Sequence, residues 1–256
     1  MEFSYYPGCT LKNKAVELDR CARECAAALG VTLTEIPQWQ CCGGVFPMAT
    51  DEYASKLASV RALAGAQSGR LVTVCSACHH VLKRVNYEMA HSEAMAERVN
   101  NYMAPDMSYH GETQVLHYLE MLRDVVGFDN LKKQVKSPLK GRRIGAYYGC
   151  LLLRPSKEME FDDPENPSIL EDFIRALGAE PVLYAQRNEC CSGYVALESQ
   201  EVAQKRRAAI WDSASGQGAQ ELITACPLCM YNLNKAGQAL PVHYFTELLA
   251  EALGVK

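Results

Sequence analysis

Short apolar runs alternate with stretches of helical periodicity along the chain. Phe3 to Tyr6 reads as a strand. Asn13 to about Leu29 reads as a helix, with Leu18, Cys21, Cys25 and Leu29 on one apolar stripe; Thr32 to Ile36 follows as a strand and Asp51 to Gln67 as a helix. Leu71 to Cys75 is a third strand, and a further helix is entered through Cys75-Ser76-Ala77-Cys78. Strands alternating with helices of this length predict a parallel sheet, because parallel strands need crossover connections.

The pattern then repeats. Tyr5-Tyr6-Pro7-Gly8-Cys9 is answered by Tyr147-Tyr148-Gly149-Cys150, and Leu71 to Cys75 by Leu222 to Cys226. Val115-Leu116-His117-Tyr118 is answered by Pro241-Val242-His243-Tyr244, after an insertion spanning about Met89 to Thr113 in the first copy. Duplication is the economical reading. It divides the chain into a first cysteine-rich domain over 1–128, a basic linker over 129–141 and a second cysteine-rich domain over 142–256. The expected class is α/β, two pseudo-symmetric half-domains, each a small parallel Rossmann-like sheet flanked by helices.

The cysteines carry the chemistry. Of twelve, ten fall into two sets with one order: Cys9, Cys41-Cys42, Cys75 and Cys78, then Cys150, Cys190-Cys191, Cys226 and Cys229. In each set the single cysteine, the adjacent pair and the C-x-x-C follow predicted strands, so five thiols converge on one sheet edge, where open α/β sheets carry their sites. Five are too many for one tetrahedral zinc, whereas a cluster of several iron atoms can take an additional thiolate. The C-x-x-C at a helix start also suits a thioredoxin-like dithiol, but each is aligned with three more cysteines. Gly43-Gly44 suits the turn that two adjacent ligands need, and Ser192-Gly193 replaces it in the second copy. Cys21 and Cys25 read as core.

Composition narrows the class. A net charge of -4 gives no basic surface for nucleic acid. Neither a signal sequence nor an apolar run long enough to span a membrane is visible, so a cytoplasmic protein with no membrane partner is expected, in a compartment where thiols serve metal or redox chemistry. No G-x-G-x-x-G occurs, so neither flavin nor NAD is expected in this chain.

The two arrangements resemble the cysteine-rich CCG domains of the heterodisulfide reductase B subunit over nearly the whole chain; Ser192 departs from the CCG pattern. The resemblance implies two noncubane 4Fe-4S clusters, one on Cys9, Cys41, Cys42, Cys75 and Cys78, the other on Cys150, Cys190, Cys191, Cys226 and Cys229. It further implies a catalytic subunit that cleaves a disulfide of the CoM-S-S-CoB type held between the clusters, with one electron from each. The expected partners are a ferredoxin-like C subunit and a flavin-bearing A subunit. Relatives of that subunit serve lactate, glycolate and fumarate-linked oxidoreductases, so an electron relay is the alternative, and a zinc scaffold a third reading.

Other polar residues lie close to the cysteines. His117 and His243 align after the fourth predicted strand of each copy, on the cysteine edge, and are the candidate proton donors. Arg154 and Arg187 flank cysteines and are the candidate substrate-binding cations. His79 and His80 have no counterpart after Cys229, which places them at the surface or behind the ligands. The stretch from Arg154 to Ser168, with three prolines and an acidic run, is expected to be a loop.

Overall fold

The computed structural model describes residues 1–44, 51–103, 107–235 and 239–255. The first half runs β1 (Glu2–Tyr6), α1 (Gly8–Asn13), α2 (Val16–Ala28), β2 (Thr32–Glu35), α3 (Ala54–Ala64), β3 (Arg70–Thr73), α4 (Ser76–His91), α5 (Glu93–Asn100) and β4 (Gln114–His117). α6 (Tyr118–Glu120) continues as a π-helical stretch, Met121–Val126, and α7 (Phe128–Gln134) leads into the second half. There the order is β5 (Arg143–Tyr147), α8 (Ser156–Met159), α9 (Ile169–Ala176), β6 (Glu180–Val182), α10 (Gln200–Gly216), β7 (Glu221–Thr224), α11 (Pro227–Leu233), β8 (Val242–Tyr244) and α12 (Phe245–Leu253).

The strands form two four-stranded sheets of matching order, β2-β1-β3-β4 and β6-β5-β7-β8, parallel throughout. The expected two-half α/β architecture is observed. Central strands read as near-continuous apolar runs because helices cover both faces: Phe3, Tyr5 and Tyr6 of β1 and every residue of β7 are buried, while the edge strand β2 is partly exposed along its length.

Three segments differ from the sequence reading. The helix expected from Asn13 begins at Val16 as α2, and a separate helix, α1, precedes it from Gly8, so Cys9 lies within a helical turn. The basic stretch between the halves is helical as far as Gln134. The 154–168 stretch contains the short α8, and Met159 and Phe161 from this stretch are buried. The inserted stretch in the first copy adds α5; its residues 104–106 lie outside the described residues.

The halves share a core. α2 packs against α12 across the boundary, and the Thr246 hydroxyl donates to the carbonyl of Leu18. Cys21 and Cys25 are fully buried in this core, as their stripe anticipates.

Candidate metal centres

Each cysteine set is assembled at the carboxyl edge of its sheet. Cys9 and Cys150 follow the first strand of each half, and the adjacent pairs sit in the loops after β2 and β6. Cys75 and Cys226 are the N-cap residues of α4 and α11, so Cys78 and Cys229 lie in the first turn, where the helix dipole favours thiolate. Sulfur-to-sulfur distances are 3.2 Å for Cys9 and Cys41, 3.6 Å for Cys42 and Cys78, and 3.4 Å for Cys191 and Cys229. These exceed the ~2.05 Å of a disulfide; all twelve cysteines are free thiols.

The adjacent cysteines divide their exposure. Cys41 and Cys190 face solvent, while Cys42 and Cys191 are buried against the helix-start cysteines. The turn needs a left-handed residue after the pair: Gly43 has φ 82°, and Ser192, which replaces it, is held at φ 60° with its N–H donating to Cys190 Sγ at 3.3 Å. The second turn therefore keeps the conformation despite losing its glycine. The two turns are neighbours, because the Tyr194 hydroxyl lies 3.7 Å from where a Cβ on Gly44 would sit.

Two features of each site were not singled out from the sequence. A fully buried tyrosine, Tyr6 or Tyr147, donates its hydroxyl to the carbonyl immediately before the cysteine pair, Gln40 or Glu189, at 2.7 Å in both halves. Sheet register makes these two tyrosines equivalent, opposite Thr73 and Thr224. The glycine before the first cysteine is also required. A Cβ on Gly8 would lie 2.7 Å from Cys78 Sγ and one on Gly149 3.3 Å from Cys229 Sγ, and both residues have positive φ. The repeated Tyr and Gly-Cys flanks carried this signal, but only the fold shows what they touch.

Packing thiols together polarises them. Cys42 is drawn down to about 3 by hydrogen bonding from Cys41 and then Cys78, while Cys41 is pushed up. Cys190 is drawn down to about 2 through Cys150 and then Cys191. Thiolate is the form that binds metal. The second set encloses a small cavity of about 20 Å³, walled by Ser76, Tyr148, Leu151, Gly193, Tyr194 and Leu228, with neither carboxylate nor cation among its lining. An all-sulfur donor set in such walls fits an iron-sulfur cluster by donor softness. Among the described residues no three His, Cys, Asp or Glu side chains are arranged for a single metal ion.

The halves meet at the C-x-x-C helices. The carbonyl of Ala225, just before Cys226, accepts from the Ser76 N–H at 3.0 Å, the Ser76 hydroxyl at 2.6 Å and the Tyr244 hydroxyl at 2.8 Å. The carbonyl of Val74, just before Cys75, lies 2.7 Å from that same Tyr244 hydroxyl and 3.0 Å from His117 Nε2. His80 Nδ1 contacts the carbonyl of Leu151, beside Cys150, at 3.0 Å.

This register corrects the pairing of the histidines. His117 ends β4 opposite Thr73, but the residue opposite Thr224 is Tyr244, so His117 is equivalent to Tyr244 and not to His243. A shift of one residue along a strand turns the side chain to the other face. His117 is fully buried; its Nδ1 accepts from the Leu119 N–H, and Nε2 therefore donates to Val74. Burial, reinforced by His79, holds it down to about 3. His243 instead reaches Glu221, at the opposite end of β7 from Cys226, with Nε2 at 3.3 Å.

The arginines are likewise committed elsewhere. Arg187 pairs with buried Glu171 at 3.2 Å and with Asn166, and Arg154 pairs with Glu165 at 3.0 Å and holds the carbonyls of Pro164 and Asn188. Both fasten the acidic loop, whose Asp162 and Asp163 accept from nearby backbone N–H groups. His79 and His80 are buried and not at the surface, with His79 Nε2 3.0 Å from Glu120.

Comparison with known proteins agrees with this geometry. A cysteine-rich domain family, CCG, matches twice, over residues 3–83 and 144–234, and the chain belongs to that family. It is 32% identical over 267 residues to the 8-methylmenaquinol:fumarate reductase membrane anchor subunit of Wolinella succinogenes, covering 99% of this chain and 93% of that protein. It is 28% identical over 274 residues to the B subunit of the ferredoxin/F420H2-dependent CoB-CoM heterodisulfide reductase of Methanosarcina acetivorans, covering 99% and 89%. A protein of Archaeoglobus profundus described as like the heterodisulfide reductase B subunit is 25% identical over 276 residues, covering 99% of this chain and 91% of that one. A hypothetical protein from Helicobacter pylori shares the fold, with TM-score 0.76 at 12% identity over all of this chain and 49% of that chain, so this chain spans about half of it. Doubled cysteine-rich domains of this kind indicate an iron-sulfur electron-transfer subunit of an oxidoreductase. Among the described residues no helix is long and apolar enough to cross a membrane.

Proposed function

We propose that the chain is the two-cluster subunit of a disulfide reductase of the heterodisulfide reductase type, with a noncubane 4Fe-4S cluster on each five-cysteine set. The observation that carries this reading is the joining of the two thiol sets at the Ser76 to Ala225 contact, with one solvent-facing cysteine, Cys41 or Cys190, in each. When bound, each cluster supplies one electron, and cleaving a disulfide takes two electrons and two protons. The chain's part is to hold the two sets side by side: Tyr6 and Tyr147 fix the cysteine-pair loops, and Ser76 and Tyr244 lock the helix starts together. Electrons come from partner subunits, a ferredoxin-like C subunit and a flavin-bearing A subunit.

A second reading, an electron relay in a fumarate-linked oxidoreductase, is favoured by the 32% identity to the Wolinella subunit, whose name also links it to a membrane. One experiment separates these. The chain is purified anaerobically, and iron, zinc and acid-labile sulfide are counted per chain. The loaded protein is then reduced with an artificial donor and offered CoM-S-S-CoB and other disulfides. Thiol release supports the reductase; clusters that reduce while every disulfide stays intact support the relay. Zinc without sulfide would overturn both.

A further inference from the structure

The two halves treat one buried basic position differently. The 151 residues that separate Leu71 from Leu222 also separate Lys56 from Arg207. Both lie on the helix before the third strand of their half, and the buried faces correspond: Lys56, Ser59, Val60 and Leu63 on α3, and Arg207, Ile210, Trp211 and Ala214 on α10. Lys56 is neutralised, with Nζ 2.7 Å from Glu88 and 3.2 Å from Glu52. Among the described residues Arg207 pairs with no carboxylate, although it is only 6% exposed and its Nε is buried without a partner. Its guanidinium donates to Asn232 Oδ1 at 3.3 Å, and Asn232 Nδ2 donates to the carbonyl of Cys191 at 2.6 Å. The same offset places Val81 opposite Asn232, so the first half lacks this connection.

A buried cation without a counter-ion is costly, and negative charge nearby relieves that cost. Arg207 is joined through one amide to a residue of the second thiol set, and an iron-sulfur cluster on thiolates is an anion whose negative charge grows on reduction. At the first set the balance is reversed. Lys56 is outweighed by two carboxylates, and buried Glu120 lies beside His79, which follows Cys78, with Lys83 only at 4.0 Å. The counterpart of Glu120 in the second half, Glu247, is partly solvated.

We propose that Arg207, positioned by Asn232, makes the cluster on Cys150, Cys190, Cys191, Cys226 and Cys229 the easier of the two to reduce, so that the first electron entering the subunit settles in the second half. This inference rests on the two-cluster reading above. The step is outer-sphere: a one-electron donor of the ferredoxin class is oxidised by one electron, the second cluster is reduced by one, and no bond to substrate is made. Arg207 is a positioning charge and not a catalytic residue, since it reaches the thiol set only through Asn232.

The test is a potentiometric titration of the loaded, full-length protein, followed by electron paramagnetic resonance, on the parent and two variants. The parent is expected to show two midpoints. Arg207→Met lowers the higher one by a tenfold or greater change in its reduction equilibrium, 59 mV for one electron, and leaves the lower in place, while Arg207→Lys retains most of the parent value. Should Arg207→Met not load its second cluster, Glu88→Gln serves instead. It removes negative charge on the first side, and the lower midpoint rises while the higher stays. Two clusters with coincident midpoints, a higher midpoint that a loaded Arg207→Met protein keeps at the parent value, or a Glu88→Gln shift confined to the higher one, overturn the inference while leaving the two-cluster reading intact. A parent protein without acid-labile sulfide overturns both.

Discussion

Ser76 of the first half directs both its N–H and its hydroxyl at the carbonyl of Ala225 in the second, at 3.0 and 2.6 Å. One residue thereby ties the start of α4 to the residue before Cys226, and it also lines the second thiol pocket. Ser76→Ala keeps the backbone bond and loses the other. It is expected to lower stability by about 1 kcal/mol, read from the midpoint of urea unfolding, with the Ala225 carbonyl still served by Tyr244.

The close approach of Gly8 to Cys78 makes a sharper prediction. Gly8→Ala places a methyl at 2.7 Å from Cys78 Sγ and forces positive φ on a residue with a side chain, whereas Gly149→Ala meets Cys229 at 3.3 Å. The conformational cost alone is about 1–2 kcal/mol. Iron bound per chain should fall by about half in Gly8→Ala and by less in Gly149→Ala, measured anaerobically after equal loading.

Tyr6 and Tyr147 offer a matched pair. Replacing either with phenylalanine leaves the carbonyl before its cysteine pair short of a donor, at a cost of about 1–3 kcal/mol. On the proposed two-cluster reading, the paramagnetic resonance signal of one cluster should change in Tyr6→Phe and that of the other in Tyr147→Phe. Identical changes in both signals from a single variant would contradict the assignment of one tyrosine to each site.

Ser192 holds a left-handed turn that Gly43 adopts freely. Ser192→Gly should raise stability by about 0.5–1 kcal/mol, the relieved strain being partly offset by the greater freedom of glycine in the unfolded chain. A thermal melt under anaerobic conditions reads the gain.

His117 contributes a pH dependence of known sign. Its folded value is held down to about 3 against 6.5 for the free group. Above pH 6.5 it is neutral in both states, and below that the unfolded chain binds a proton that the folded chain refuses. Stability from this residue is therefore present above pH 6.5 and lost as pH falls towards 3, with a slope approaching about 1.4 kcal/mol per pH unit. Unfolding by urea at pH 7, 6 and 5 should show a shallower slope in His117→Phe than in the parent.

Much of this was legible in the order of residues. The alternation of apolar runs and helical stretches announced two parallel sheets, because strand and helix periods are local properties. The repeated cysteine order announced two sites, because strand ends fall on one edge of a parallel sheet wherever the chain repeats. The histidines show the limit of such reading. Similar residues on either side suggested that His117 matches His243, yet the hydrogen-bond register pairs Tyr244 with Thr224, and one step along a strand reverses the face. Arg154 and Arg187 do lie near cysteines in sequence, but their charges are met by Glu165 and Glu171, carboxylates brought near by the fold of the acidic loop.

By itself the sequence determined the duplication, the α/β class and the ten cysteines in their two sets. Only the tertiary structure decided which neighbours those sets have: the Tyr6 and Tyr147 hydroxyls on the cysteine-pair loops, the Ser76 to Ala225 junction, and Arg207 behind Cys191. The reason is physical. Periodicity and spacing depend on residues near one another in the chain, whereas hydrogen-bond partners and charge balance depend on groups that meet only after the two halves have packed.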